Sequence, residues 1–194
     1  MSYRPICDVW FLARSKVKYY GSYPAGFLER ARRLLGITID DPLLHVCAGM
    51  VKDYPYRGGF GPHDQTLDMD PAVDPHYLCD VREGVPLNGC AVTLGWAADG
   101  SRTEVNALWL AILADPPYSE ADAAQYNVGA SVYPSPHTLV ANMIQAVRIG
   151  GRVGILHTVL PRYPKDLAKE IAVVAVYVGN GNVGRTYSVF ERTK

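Results

Sequence analysis

The run Leu108-Trp109-Leu110-Ala111-Ile112-Leu113-Ala114-Asp115-Pro116-Pro117-Tyr118 decides how the rest of the chain is read. Its apolar half reads as a buried strand. Asp115-Pro116-Pro117-Tyr118 therefore stands where that strand ends, which is where open α/β sheets bind ligands. The two prolines remove backbone donors and fix φ at about −65°, leaving the preceding carbonyls free and the loop stiff. Asp115 adds a carboxylate and Tyr118 a flat ring. Together they can accept hydrogen bonds from an amino group on a planar ring system and stack against its face. An Asp-Pro turn that merely closes a strand is the plainer alternative.

Outward from that strand, apolar segments recur with helical or looped connections between them, the pattern of an α/β sheet. Upstream, an extended start runs from Ile6 to Ala13. Ala25 to Leu35 places Phe27, Leu28, Ala31, Leu34 and Leu35 at helical spacing, with Glu29, Arg30, Arg32 and Arg33 on the other side and Gly36 as the C-cap. Leu43–Ala48, Thr66–Met69 and Tyr77–Cys79 read as three strands. Downstream, Pro134-Ser135-Pro136-His137 reads as a rigid turn, Leu139–Ile149 as a helix ended by Gly150-Gly151, and Arg152–Val159 as a fifth strand of the crossover sheet. Glu170–Val178 and Thr186–Glu191 alternate apolar and polar residues around Gly179-Asn180-Gly181-Asn182, an antiparallel hairpin.

The order and content of these parts resemble the class I S-adenosylmethionine-dependent methyltransferases, in particular the D-P-P-Y amino-methyltransferases that modify adenine N6 or cytosine N4 of DNA. The resemblance implies an α/β fold, a Rossmann-like class I methyltransferase sheet with an antiparallel C-terminal hairpin. It implies S-adenosyl-L-methionine as cofactor, and a catalytic motif Asp115, Pro116, Pro117 and Tyr118. Leu44-His45-Val46-Cys47-Ala48-Gly49-Met50 resembles the family's glycine loop, so Cys47, Ala48 and Gly49 are expected against the methionine part of the cofactor. Asp68, with Asp70 as the fallback, matches the acid that holds the ribose hydroxyls, and Asp80 the acid that meets the adenine amino group. Asp115 borders the cofactor as well. Tyr23, Pro24 and Phe27 are placed like the segment that folds over the methionine tail, and Lys16, Lys18 and Tyr19 are candidates for phosphate contact and base stacking. For Ala48-Gly49, Asp80 and the lysines, an ordinary turn, a solvated acid and a solvated charge pair remain the alternatives.

Two features depart from the family pattern. Val51 to Gln65 holds Pro55, Gly58, Gly59, Gly61 and Pro62, which oppose the helix expected after the glycine loop. The chain also lacks a target-recognition insert. At 194 residues it reads as a single methyltransferase domain over 1–194 with no separate target-recognition domain.

Composition bounds the partners. The 19 basic and 19 acidic residues give no net field toward nucleic acid, so any such contact must be local. Arg148, Arg152, Arg162, Lys165, Lys169, Arg185 and Arg192 crowd the last third, either as a phosphate-binding face or as scattered surface charge. Cys7, Cys47, Cys79 and Cys90 form no C-x-x-C pair and no zinc spacing, so no metal is expected, and His45 and His157 read as packed core histidines. With no apolar run of spanning length and no signal-peptide pattern, a cytoplasmic, non-membrane protein is expected. The expected activity is methyl transfer to an exocyclic amine of a DNA base, adenine N6 first. The alternatives are an amino-methyltransferase for RNA, a nucleotide or a small molecule, and a catalytically silent methyltransferase-like binding subunit. A homodimer or a protein partner for target recognition is left open.

Overall fold

A computed structural model describes residues 4–16, 23–86, 95–96, 102–103, 108–125, 133–179 and 184–194. Lys18, Tyr19, Cys90, Tyr126 and the tip of the C-terminal hairpin lie outside them. In chain order the elements are β1 (Ile6–Leu12), α1 (Phe27–Leu35), β2 (Leu43–Val46), β3 (Gln65–Asp68), β4 (Tyr77–Leu78), β5 (Gly95–Trp96), β6 (Arg102–Thr103), β7 (Trp109–Ala114), α2 (Glu120–Ala123), α3 (Pro136–Ala146), β8 (Val147–His157), β9 (Ala168–Val178) and β10 (Arg185–Arg192).

Strands β5 and β6 pair as a small antiparallel ribbon. The other eight form one sheet in the order β1-β9-β10-β8-β7-β2-β3-β4. From β4 to β8 all neighbours are parallel, and β10 then runs antiparallel between β8 and β9. The expected crossover sheet with a terminal antiparallel hairpin is thus formed, and β1 adds itself in parallel to β9 at the far edge. Strand order reverses between β2 and β7, so the crevice beyond their carboxyl ends is the topological switch point.

Successive residues of the central strands serve opposite faces. Leu43, Ala111 and Leu113 join the core under α1, where Phe27, Leu28 and Ala31 meet Trp10, Val174 and Tyr187. Leu44, Ile112 and Ala114 join the core under α3, with Leu139, Met143, Ile144 and Phe190. This double burial explains why β7 reads as an unbroken apolar run. Gly36, at φ 72, turns the chain out of α1 and its N–H caps the carbonyls of Arg32 and Arg33.

Arg32 departs from its expected place on the solvent side of α1, being 3% exposed. Its guanidinium binds Asp64, the Gly59 carbonyl at 2.9 Å and the Thr38 carbonyl at 3.2 Å. Asp64 Oδ2 also accepts from the Gly61 N–H at 2.8 Å and from His45 Nε2 at 3.1 Å. This buried cluster pins the glycine-rich loop that stands in place of a helix after β2. Between β2 and β3 the backbone makes one short 3-10 turn, Val51–Asp53, and otherwise turns and bends. Gly61 must be glycine because a Cβ there would lie 2.3 Å from the Ile39 carbonyl oxygen.

The junction expected at Gly150-Gly151 lies four residues earlier. Helix α3 begins with Pro136 in its first turn, where its missing N–H costs nothing, and ends at Ala146. Strand β8 then starts at Val147 and runs through the glycines. Gly150 has φ 78, and a Cβ on Gly151 would lie 2.8 Å from the Arg148 carbonyl oxygen. The two glycines shape an irregularity in pairing, because Trp109 faces Val147 while Ala111 faces Arg152. Arg192 fixes the helix end by donating to the Gln145 carbonyl at 2.9 Å and the Val147 carbonyl at 2.7 Å.

Candidate active site

A cleft opens at the switch point, at the carboxyl ends of β2, β3, β4 and β7. One rim is the turn after β2. Cys47 (φ 51) and Gly49 (φ 48) both hold left-handed backbone there, a conformation that strains the cysteine and suits the glycine. Gly49 presents no side chain to the space, and its N–H donates to Asp68 Oδ2 at 2.9 Å. The other Asp68 oxygen accepts from the Asp70 N–H at 3.0 Å. Burial pushes the Asp68 carboxyl above its ordinary value, and these backbone donors only partly offset it.

Asp80, after β4, faces the same cleft with Asp70 and Cys79. Its carboxylate is engaged by the Arg82 guanidinium at 2.8 Å and 2.5 Å and by the Arg82 N–H at 2.9 Å, which holds it below the ordinary carboxylate range. Four aspartates, Asp68, Asp70, Asp80 and Asp115, line the cleft, and no lysine, arginine or histidine does so among the described residues. The Cys47 thiol registers this environment. Burial first, and then the charges of Asp68, Asp115 and Asp80, push it well above the ordinary thiol range.

Asp115 ends β7 and borders the cleft with Pro117. Its own N–H points back to the Val46 carbonyl at 3.4 Å, which ties the motif to β2. Asp115 Oδ1 accepts from the Tyr118 hydroxyl at 2.5 Å. Burial raises the Asp115 carboxyl to about 6, against the lowering influence of the Arg185 guanidinium and the Tyr118 hydroxyl. Tyr118 is itself surrounded. The Arg185 guanidinium sits 4.8 Å above its ring centre, and His157 packs against it in a T-shape at 5.4 Å. His157 Nδ1 accepts from the Val159 N–H at 3.2 Å, so the ring proton belongs on Nε2, which lies 3.3 Å from the Tyr133 hydroxyl. Burial lowers its pKa, so the ring is neutral near pH 7.

The structure therefore brings Cys47, Gly49, Asp68, Asp80, Asp115 and Pro117 to one cleft, with Tyr118 behind Asp115. It does not bring the other candidates to the cleft wall. Ala48 is buried toward the opposite core, and Pro116 is buried behind the motif. Tyr23 and Phe27 stack on each other at 5.3 Å, and Phe27 meets Trp10 and Tyr187 edge-on. Pro24 is buried and accepts the Tyr54 hydroxyl on its carbonyl at 2.8 Å. Tyr23 and Phe27 thus belong to the apolar core at the start of α1, with Pro24 buried between them. Tyr23 still lies near enough to Tyr118 for its hydroxyl to bear on that phenol. The Lys16 N–H donates to the Tyr56 hydroxyl at 2.6 Å, away from the cleft.

Sequence reasoning counted Arg185 only as one of several basic residues and His157 only as core. The signal was available in part, since the hairpin assignment puts Arg185 immediately before its second strand. At the short α2, the Ser119 hydroxyl accepts from the Asp122 N–H at 3.1 Å, which places Glu120 and Asp122 as first-turn acids and sets Ala123 on the cleft wall. Among the described residues no helix is long and apolar enough to cross a membrane, and no group of three or more His, Cys, Asp or Glu is arranged to hold a metal ion.

No protein-family model matches the chain, and no curated protein matches it. Solved structures do. The chain is similar to TrmN from Thermus thermophilus at 15% identity and a TM-score of 0.54, over 89% of this chain and 50% of that one. The chain thus spans about half the length of TrmN. It also aligns with the N-methyltransferase NodS from Bradyrhizobium japonicum WM9 in complex with S-adenosyl-l-homocysteine, at 13% identity and a TM-score of 0.47, over 86% of this chain and 87% of that one. An rRNA methylase from Streptococcus thermophilus aligns at 10% identity and a TM-score of 0.40, over 86% of this chain and 95% of that one. At these identities the likeness is one of fold, that of the Rossmann-like class I methyltransferase sheet.

Proposed function

We propose that this chain is an S-adenosylmethionine-dependent N-methyltransferase whose acceptor is an exocyclic amine, with adenine N6 of DNA as the favoured target. The observation that carries the reading is an Asp-Pro-Pro-Tyr turn at the switch point of a class I methyltransferase sheet, beside a cleft whose charged groups are all aspartates. Rossmann-like sheets also serve dinucleotides, but four carboxylates would repel a pyrophosphate. They suit a ligand with hydroxyls, an amino group and positive charge.

Asp68, with both oxygens already aligned by backbone donors, would receive the ribose hydroxyls. Asp80 would meet the adenine amino group, and the glycine turn at Cys47 and Gly49 would lie against the amino-acid part. When bound, the cofactor supplies a methyl group on a positively charged sulfur that leaves as a neutral thioether.

The chain has to aim the acceptor. An exocyclic amine is a weak nucleophile because its lone pair is delocalised into the ring. Asp115 Oδ1 is occupied by Tyr118, so Oδ2 accepts one N–H of the amine and turns the lone pair toward the cleft. A second N–H can bond the main-chain carbonyl of Pro116. Asp115 then takes the surplus proton as the new N–C bond forms, and a carboxyl raised to about 6 is a better acceptor than an ordinary one.

A second substrate class, an amine on RNA, a nucleotide or a small molecule, is favoured by the formal net charge of +0. Calorimetry with S-adenosylhomocysteine tests cofactor binding. Incubation of labelled cofactor with DNA, RNA and metabolite pools tests the acceptor, and transfer to none of the three would leave the silent binding subunit as the better reading.

A further inference from the structure

Arg185 has no part in the mechanism above, yet it stands at its centre. It is the first residue of β10, and the next residue pairs with His157 at the end of β8, so the strand register places Arg185 at the carboxyl ends of the parallel strands. Its guanidinium lies 4.8 Å over the Tyr118 ring, and Tyr118 is hydrogen-bonded to Asp115. It is half-buried, and among the described residues it makes no hydrogen bond and no ion pair. Among the described residues Arg32, Arg82, Arg152 and Arg192 spend their donors on carboxylates or carbonyls, whereas Arg30, which also sits over a ring, is exposed.

A guanidinium held over a ring by the cation–π attraction keeps its N–H donors free for hydrogen bonds. The guanidinium fork matches phosphate or carboxylate geometry and binds it through paired hydrogen bonds. The polarity of the surroundings says where an anion can go. The cleft on one side of Asp115 is lined by aspartates. On the Tyr118 side Arg185 supplies a cation whose charge bears on Asp115 and whose donors, among the described residues, meet no carboxylate or carbonyl.

We propose that Arg185 recognises a phosphate on the acceptor, next to the amine that Asp115 holds. This rests on the methyltransferase reading and narrows its substrate class to nucleotidyl groups. The phosphate can belong to a polynucleotide backbone or to a free nucleotide, and the two sources are separable.

The test uses the full chain saturated with S-adenosylhomocysteine. Binding of adenosine and of adenosine 5′-monophosphate is measured by calorimetry for the wild type, Arg185→Gln and Arg185→Lys. A single-stranded oligodeoxynucleotide is then titrated at several salt concentrations. The wild type should bind the monophosphate about tenfold more tightly than the nucleoside, the scale of one charge-assisted pair. Arg185→Gln should bind both alike, at the nucleoside level, and Arg185→Lys should keep part of the preference. If a polynucleotide is the source, Arg185→Gln should also lower the salt slope for the oligonucleotide by about 0.7, one phosphate's worth. An unchanged slope with a lost monophosphate preference assigns a free nucleotide.

Equal affinity of the wild type for monophosphate and nucleoside would overturn the proposal, as would a preference that survives Arg185→Gln. No detectable binding of either compound would overturn it too. Affinity for S-adenosylhomocysteine, measured first, separates the two levels. Its absence in the wild type refutes the methyltransferase reading, whereas cofactor binding without phosphate preference refutes only the role of Arg185. Unchanged cofactor affinity in Arg185→Gln confirms that the variant is folded.

Discussion

The Tyr118 hydroxyl donates to Asp115 Oδ1 at 2.5 Å, so the carboxylate that ends β7 is half-occupied by its own motif before any acceptor arrives. The tyrosine thus fixes which carboxylate oxygen is free and orients the plane of the group. Its ring already carries the Arg185 guanidinium on one face, so a stacked acceptor has at most the opposite face available.

Asp115→Ala should abolish methyl transfer while leaving affinity for S-adenosylhomocysteine within a few-fold, because the free oxygen is directed to the acceptor. Single-turnover assays with labelled cofactor, alongside calorimetry, read the two effects separately. Turnover near the wild-type rate would remove Asp115 from the mechanism.

Activity should fall as pH drops through about 6, where Asp115 gains a proton and loses its use as an acceptor. Tyr118→Phe should move this limb upward, since the lost hydroxyl donation favours the protonated form. The linkage to stability has the opposite sense. Below about 3.8 both states of the chain carry the proton. Between there and about 6 the folded state holds it more firmly, so this group makes the fold less stable as pH rises through that window. Asp115→Asn should therefore raise the urea midpoint at pH 8 more than at pH 4.

Asp68 and Asp80 should contribute unequally to cofactor affinity. Asp68→Ala removes a carboxylate held by two backbone donors and should weaken S-adenosylhomocysteine by about 2 kcal/mol, the scale of charge-assisted hydrogen bonds. Asp80 shares its charge with Arg82 already, so Asp80→Ala should cost about 1 kcal/mol or less. Equal and negligible effects in calorimetry would place the cofactor elsewhere.

Asp64→Asn should destabilise the fold by about 3–5 kcal/mol in urea titration, because Arg32 would be left buried without its counter-charge. Burial alone would push the Asp64 carboxyl up, but the His45 hydrogen bond, the Gly61 N–H and the Arg32 charge outweigh it and hold it below the ordinary range. Its contribution is present above the unfolded value of about 3.8 and is lost as pH falls through the lower folded value. Burial depresses the His45 pKa, so the ring stays neutral in the fold. Below about 6.5 the unfolded chain takes up a proton that the folded chain refuses, and stability should begin to fall there. In His45→Gln that first decline should become shallower, His157 and His76 supplying the remainder.

Features set by local chemistry were legible in the sequence. The turn at Asp115, the Gly36 cap, the terminal hairpin and the helix-free stretch after β2 depend on neighbours within a few residues. What escaped depends on contacts far along the chain. Arg32 looked like the solvent side of an amphipathic helix because Asp64, its counter-charge, lies in a loop with no periodicity of its own. Tyr23 and Phe27 read as part of a segment over the methionine tail, because nothing local announces that Phe27 meets Trp10 and Tyr187 and that Tyr23 stacks on Phe27. The end of α3 was misplaced because Val147-Arg148-Ile149 suits helix and strand alike, and Gly150-Gly151 terminates the one as readily as it bends the other. Arg185 reaches Tyr118 only through the register of β10 on β8.

The parallel pairing of β1 with β9 sets residue 6 against residue 172 and residue 12 against residue 178. Strand β1 thus finds its partner strand only once residues 168–178 have been made. During that interval its Ile6, Val9 and Phe11 side chains, still exposed in the finished fold, lie on an unpaired backbone open to other chains. Closing so long a loop comes late and slowly. The edge of the sheet at β1, rather than the cleft, is therefore where association with other chains at high concentration would begin.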